Sequence, residues 1–292
     1  MDHFEQAATE LAAAAAPGRA AVEDAAASAQ RLLVELETAD AAARQRALAL
    51  LADVLPAAPL DCAGAVALAC GALVEAGGDP DRPLAGLLSR LPESLAGATA
   101  FADACRERAA TAPPDEEDGD PVQRFGEVVA EAKPAEAEAW GAFDLFGMAV
   151  IAALARSPDA RRRARSRPEL VKQAQGLAGL HPRAKFLAEM LRVLDDEDFL
   201  ALHPEAGRGW KVRLRGVSDN FQLDTLLADM LIGDPNKGLL PGRRPDPRVV
   251  SAARDRPVDP NAALAEGAFN LLGWRALRPD GTLSDSSPWV LN

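Results

Sequence analysis

Four consecutive acids, Asp195, Asp196, Glu197 and Asp198, form the densest group of side chains in this chain that could carry chemistry. Carboxylates hold hard cations through oxygen, and a pair with separated proton affinities can act as general acid and base. His203 follows shortly after, and Arg213 sits on an alternating segment beyond it. An enzyme built here would use the Asp195–Asp198 carboxylates, with Asp195, Asp196 and Asp198 as candidates, joined by His203 or Arg213. Its site would lie between the helical body and the unit formed by residues 199–233. The plainer expectation is that the run is a solvated turn before a strand, because clustered like charges normally stay in water.

Within a helical protein the acid run resembles the DDxxD metal motif of terpene synthases. That family also needs a second metal-binding helix with Asn, Ser or Thr, and Glu at helical spacing, whereas here Asn220 is followed by Asp224 and Ala228. The aromatic cavity of such enzymes has little source in a chain with 9 Phe, 4 Trp and no Tyr. The three histidines, His3, His181 and His203, form neither HExxH nor a pair on one helix face, and His181 and His203 both precede proline, which biases them to turns. No metal site is expected. With neither GxGxxG nor GxxxxGK[ST], and no GxSxG serine, neither a nucleotide cofactor nor hydrolase chemistry is expected, and no cofactor of any kind is assigned.

A second charged feature is the run Arg156, Arg161, Arg162, Arg163, Arg165 and Arg167. Arginine forks suit phosphate, anionic lipid or an acidic protein surface, which makes Arg161, Arg162, Arg163, Arg165 and Arg167 candidate anion- or partner-binding residues. No aromatic residue is interleaved, so bases would find no stacking platform. The competing expectation is a solvated connector paired with the chain's own acids. Residues 1–155 hold 26 acids against 10 bases and residues 156–292 hold 18 against 22, so −16 and +4 make the net −12. An acidic whole argues against sequence-specific nucleic-acid binding.

Cys62, Cys70 and Cys105 form no CxxC, and the first two fall in an apolar helical segment, which suits a reducing cytoplasm. The N-terminus carries acids where a secretory signal needs positive charge, so secretion is not expected. Residues 139–155 run nearly unbroken in apolar residues ahead of Arg156. They are short for a span of ~20 residues and contain Asp144, so a buried central helix is expected rather than a membrane span.

The elements that must position these residues follow from composition and punctuation. The 48% hydrophobic content is mostly Ala and Leu, which favour helix, while β-branched and aromatic residues are scarce. Alanine and arginine together suit a GC-rich bacterial genome. Residues 2–110 predict consecutive helices of 12–20 residues, with a break at Pro17-Gly18, caps at Asp40 and Asp61, and a stop at Gly77-Gly78. Residues 112–120, with prolines, acids and a glycine, read as a linker. Helices follow near 121–133, 135–155, 167–178 and 182–194. Then 199–203 and 210–217 predict a β-hairpin in which Trp210, Val212 and Leu214 face inward and Lys211, Arg213 and Arg215 outward. Asp219 caps a helix with Leu223, Leu226, Leu227, Met230 and Leu231 on its buried stripe. A short helix is expected at 247–253 and a turn at Pro279-Asp280-Gly281, with Trp289 and Val290 docking near the terminus.

The expectation is therefore a mainly α chain. Residues 1–111 make a HEAT-like array of helical hairpins or an irregular bundle, 112–120 a linker, and 121–292 a helical region with a small α+β cap. Nothing in the residues insists on catalysis, so a cytoplasmic protein–protein interaction or regulatory protein leads. The carboxylate enzyme and a binder of anionic surfaces through the arginine run follow.

Overall fold

The computed structural model describes residues 3–18, 21–112, 119–254 and 282. Its described elements are mainly helical with one two-stranded antiparallel sheet, and they divide into two compact units at Leu191/Arg192. The turn at 279–281, Trp289, Val290 and the acids at 115–118 lie outside the described residues.

The first unit contains α1 (His3–Ala14), α2 (Val22–Glu35), α3 (Ala41–Val54), α4 (Leu60–Glu75), α5 (Asp81–Ala110), α6 (Pro121–Ala132), α7 (Pro134–Arg156), α8 (Pro158–Arg165), α9 (Pro168–Leu177) and α10 (Pro182–Met190). Asp40 caps α3 as its position suggests, its carboxylate accepting from the Ala43 N–H at 2.7 Å. α4 begins one residue before Asp61, which therefore lies in the first turn rather than at the cap. Gly77, at φ 95°, ends that helix by letting the Gly78 N–H reach the Leu73 carbonyl at 2.9 Å. Among the described residues six α-helices start on proline at their first position: α6, α7, α8, α9, α10 and, in the second unit, α12 (Pro247–Ala253). Proline there loses no helical hydrogen bond, since a first-turn N–H has no intrahelical partner.

One apolar core runs from Phe4 to Leu191, so the helices on both sides of 112–120 belong to one unit rather than to two domains. The reason is α7. Its buried Phe143, Phe146, Val150 and Leu154 pack among helices that precede the stretch, chiefly α4 and α5. Gly64 meets Ala142 and Gly71 meets Ala149, so α4 and α7 run parallel in close contact. A Cβ at Gly71 would lie 2.7 Å from the Ala149 Cα, a separation only glycine permits. Non-sequential packing of this kind makes the unit an irregular bundle rather than a stack of successive hairpins. α7 is long and apolar enough to cross a membrane, with half of its apolar window buried in the bundle.

α5 exceeds the expected helix lengths, running 30 residues straight through Pro92. Proline has no N–H for the carbonyl four residues back, which leaves the Leu88 oxygen without its helical donor. Arg167 supplies one, its Nη1 donating to that oxygen.

The second unit holds β1 (Leu194–His203), β2 (Arg208–Val217), α11 (Asn220–Leu231) and α12. Its core joins Ala201, Val212, Leu214 and Val217 of the hairpin to Leu223, Leu227 and Leu231 of α11 and to Leu240. Asp219 caps α11 by accepting from the Gln222 N–H at 2.7 Å, and the Gln222 carboxamide oxygen accepts in return from the Ser218 N–H at 2.7 Å. Met230, expected on the buried stripe, is exposed on α11.

Candidate functional site

The acid run is not a turn. It is the first half of β1, and the hairpin is longer than the alternation in 210–217 alone suggests. Alternation marks β2 as a strand, but its partner is a strand of acids that propensity disfavours. β2 offers basic partners to two of the outward acids, Asp196 and Asp198, while exposed Glu197 stands across from Leu214. Asp198 stands across from Arg213, which donates through Nε at 2.7 Å and Nη2 at 3.2 Å, while Lys211 Nζ lies 3.2 Å from the same carboxylate. These hydrogen bonds, Arg213's first and Lys211's next, pull the Asp198 carboxyl down to about 2. Asp196 pairs with Arg215 at 3.5 Å.

Two bulges shape this end of the hairpin. Asp196 and Gly216 each interrupt the register and each takes a left-handed backbone, at φ 58° and 64°. Asp195 is thereby turned inward to 3% exposure, where its Oδ1 accepts from the Gly216 N–H at 3.1 Å. His203 closes the other end: its Nδ1 accepts from the Ala206 N–H at 3.1 Å and caps the 3-10 turn at Pro204–Ala206. The carboxylates and His203 thus occupy opposite ends of one strand, and Asp195, Asp196, Asp198 and His203 each serve the hairpin's own backbone or basic side chains. Among the described residues no group of three His, Cys, Asp or Glu stands close enough to hold a metal ion.

The arginine run is not a connector either. Residues 158–165 form α8, capped by Ser157 through the Ala160 N–H at 3.1 Å. Arg161, among the candidate anion binders, is 1% exposed and donates from Nη1 to the Leu154 carbonyl near the end of α7 at 2.9 Å. Arg156 Nη2 donates to Glu75 O at 2.8 Å, and Arg44 Nη1 to the adjacent Ala76 O at 2.9 Å, so two guanidinium groups converge on the C-terminus of α4. The last carbonyls of a helix have no intrahelical donor, and arginine reaches them from a distance. Arg162 pairs with Asp159, and Arg163 lies 3.8 Å from Asp81. Arg165 is half-buried and Arg167 is committed to α5. Arg162, Arg163 and Arg167 are exposed on this face.

The three cysteines are free and fully buried. Burial pushes the Cys70 thiol up to about 12 and raises Cys62 and Cys105, whose neighbours Asp61 and Asp120 add to the effect. Such thiols are poor nucleophiles. A shallow cleft of about 300 Å³ between α1 and α2 is lined by His3, Gln6, Glu10, Arg31, Val34 and Glu35. Arg31 crosses it to pair with Glu10.

What remains on the hairpin is its outward face. Leu200 and Leu202 point away from the core at 61% and 52% exposure, flanked by the exposed Lys211 and Arg213. Leu202 lies over Gly209, where a Cβ would come within 2.9 Å of its Cδ2. The signal for this pair was present in the sequence: both leucines share the parity of Asp198, opposite to Phe199 and Ala201. Trp210, expected on the inner face, does pack there but only in part. Comparison with protein-family models, with curated proteins and with solved structures found no match.

Proposed function

We propose that this chain is a non-catalytic, cytoplasmic interaction protein that engages another protein through the outward face of its hairpin. The observation that carries the reading is the neighbouring exposed pair Leu200 and Leu202 beside the basic residues of β2. Single exposed leucines are ordinary, but adjacent ones on a rigid strand with a charged rim have the composition of a docking patch. The apolar pair supplies area to remove from water, and Lys211, Arg213 and Arg215 supply orientation. Three buried thiols support a reducing compartment. The half-burial of α7 in the bundle supports a core role for that helix rather than a membrane span.

The test is a photo-crosslinking amino acid placed at position 200 or 202 of the full chain in cells, with the exposed Lys172 of α9 as the control position. A discrete adduct at 200 and 202 that is absent at 172 is the expected result, and Arg213→Glu should weaken it. No adduct, or the same adducts at all three positions, overturns the reading.

A further inference from the structure

His181 is the most enclosed histidine described, at 2% exposure, and neither the hairpin nor the arginine run uses it. Its ring centroid lies 4.3 Å from that of Trp140 and 4.8 Å from that of Phe143, both on α7. It is also the cap of α10. The ring Nδ1 accepts the Arg183 N–H at 3.1 Å, and the His181 N–H donates to Leu177 O at 3.0 Å at the end of α9. Arg183 then turns back to α7: its Nε donates to Asp144 Oδ1 at 3.2 Å, and its stem covers Gly147, where a Cβ would sit 2.9 Å from the Arg183 Cβ. One residue pair therefore ties α10 both to its own first turn and to α7.

We propose that His181, Arg183 and Asp144 form an acid-sensitive latch that holds α10 against α7 while the imidazole is neutral and releases it when the ring is protonated. The geometry sets the direction. Nδ1 can accept the Arg183 N–H only through its lone pair, and a proton there replaces an acceptor with a donor facing a donor. The charged groups acting on the ring are Asp144 from α7 and Arg183 from α10, while α9 meets it through the Leu177 carbonyl. Burial between the aromatic rings opposes the charged form most strongly; Asp144 favours it and Arg183 opposes it, and the net effect lowers the His181 pKa below 6.5. The unfolded or unlatched segment then binds a proton at higher pH than the latched one. The latch is at full strength above about pH 6.5 and weakens as pH falls below it. α10 ends at Met190, two residues before Arg192.

Hydrogen exchange of the α10 amides in the full chain tests this, compared at pH 7 and pH 5.5 after correction for intrinsic rates. The companion variant is His181→Asn, which keeps an N-cap acceptor but does not titrate. Wild-type protection should fall toward acid pH by up to about tenfold per pH unit, with α4 unchanged, while His181→Asn holds its protection across the range. Constant wild-type protection, or an equal loss in His181→Asn, overturns the proposal. Should the variant not fold, ¹⁵N-labelled histidine in the wild type serves instead. His181 is expected to titrate below 6.5 together with the α10 amides. Titration without movement of those amides, or no titration while the chain stays folded, equally overturns it.

Discussion

Asp195 and Asp198 are three residues apart in one acidic run, yet the hairpin puts them in opposite situations. Asp195 is enclosed and satisfies a backbone N–H beside a bulge, so its removal leaves a buried donor without a partner. Asp195→Ala should cost about 1–3 kcal/mol, read as a loss of hairpin stability in denaturant. Asp198 is held by two basic side chains in water, and exposed pairs are screened and contribute little. Its carboxyl is depressed, so whatever the pair contributes is present above the ordinary carboxylate range and lost as pH falls toward about 2. The small difference in melting temperature between wild type and Asp198→Asn should be the same at pH 7 and pH 5 and vanish in strong acid. A difference that disappears already at pH 5 would mean that Arg213 and Lys211 do not hold the carboxylate in solution.

Helices in the first unit are joined by contacts that exclude or demand particular atoms. At Gly71 an added Cβ meets the backbone of Ala149 at 2.7 Å, and backbone cannot move aside without separating α4 from α7. At Gly64 the nearest atom would be 3.4 Å away, an ordinary contact. Gly71→Ala should therefore destabilise by about 1–3 kcal/mol. Gly64→Ala should be neutral or stabilising by up to about 1 kcal/mol through helix propensity. Equal effects in thermal or chemical melts would show that the close approach at Gly71 is not tight. Arg167 and Pro92 make a second paired test. Because Arg167 donates to the carbonyl that Pro92 orphans, Arg167→Ala should cost about 1–3 kcal/mol in the wild type. It should cost clearly less in a Pro92→Ala background, where the helix supplies its own donor. A double-mutant cycle with no coupling would refute that exchange.

For the chain as a whole, the −16 and +4 halves do not describe two bodies, because the arginines after 155 work on the helices before it. Arg156 and Arg167 reach the carbonyls of Glu75 and Leu88, and Arg163 lies near Asp81. Among the described residues both carbonyl dipoles and carboxylates of the acidic half receive arginines of the basic half, Arg183 also pairing with Asp144. The first unit also encloses all three thiols. A thiol-reactive dye at neutral pH should label none of them in the native chain and 3 in denaturant, with Cys70 the last to react as the chain opens. Fast labelling of any one of them without denaturant would mean that the bundle opens locally around it.

Helix content, the cap at Asp40, the stop at Gly77, the strand at 210–217 and the cap at Asp219 were legible because each depends on neighbours within a few residues. Composition likewise determined a mainly α chain before any contact was known. The strand character of 194–198 was not legible, because acids favour strand only when a basic strand stands opposite, and that pairing is a tertiary fact. The same holds for α8, whose arginines read as a solvated connector until Arg161 is seen buried on the Leu154 carbonyl. The capping roles of His181 and His203 lay half-hidden in their His-Pro steps: proline marked the turn, but only the fold showed which ring nitrogen faced an N–H. Tertiary structure also united the helices before and after the stretch at 112–120 in one core, since α7 returns to pack along α4. Sequence determines what each segment can become; long-range partners decide which charged segments become strand, cap or core, because a charge is stable only where an opposite charge, a dipole or water meets it.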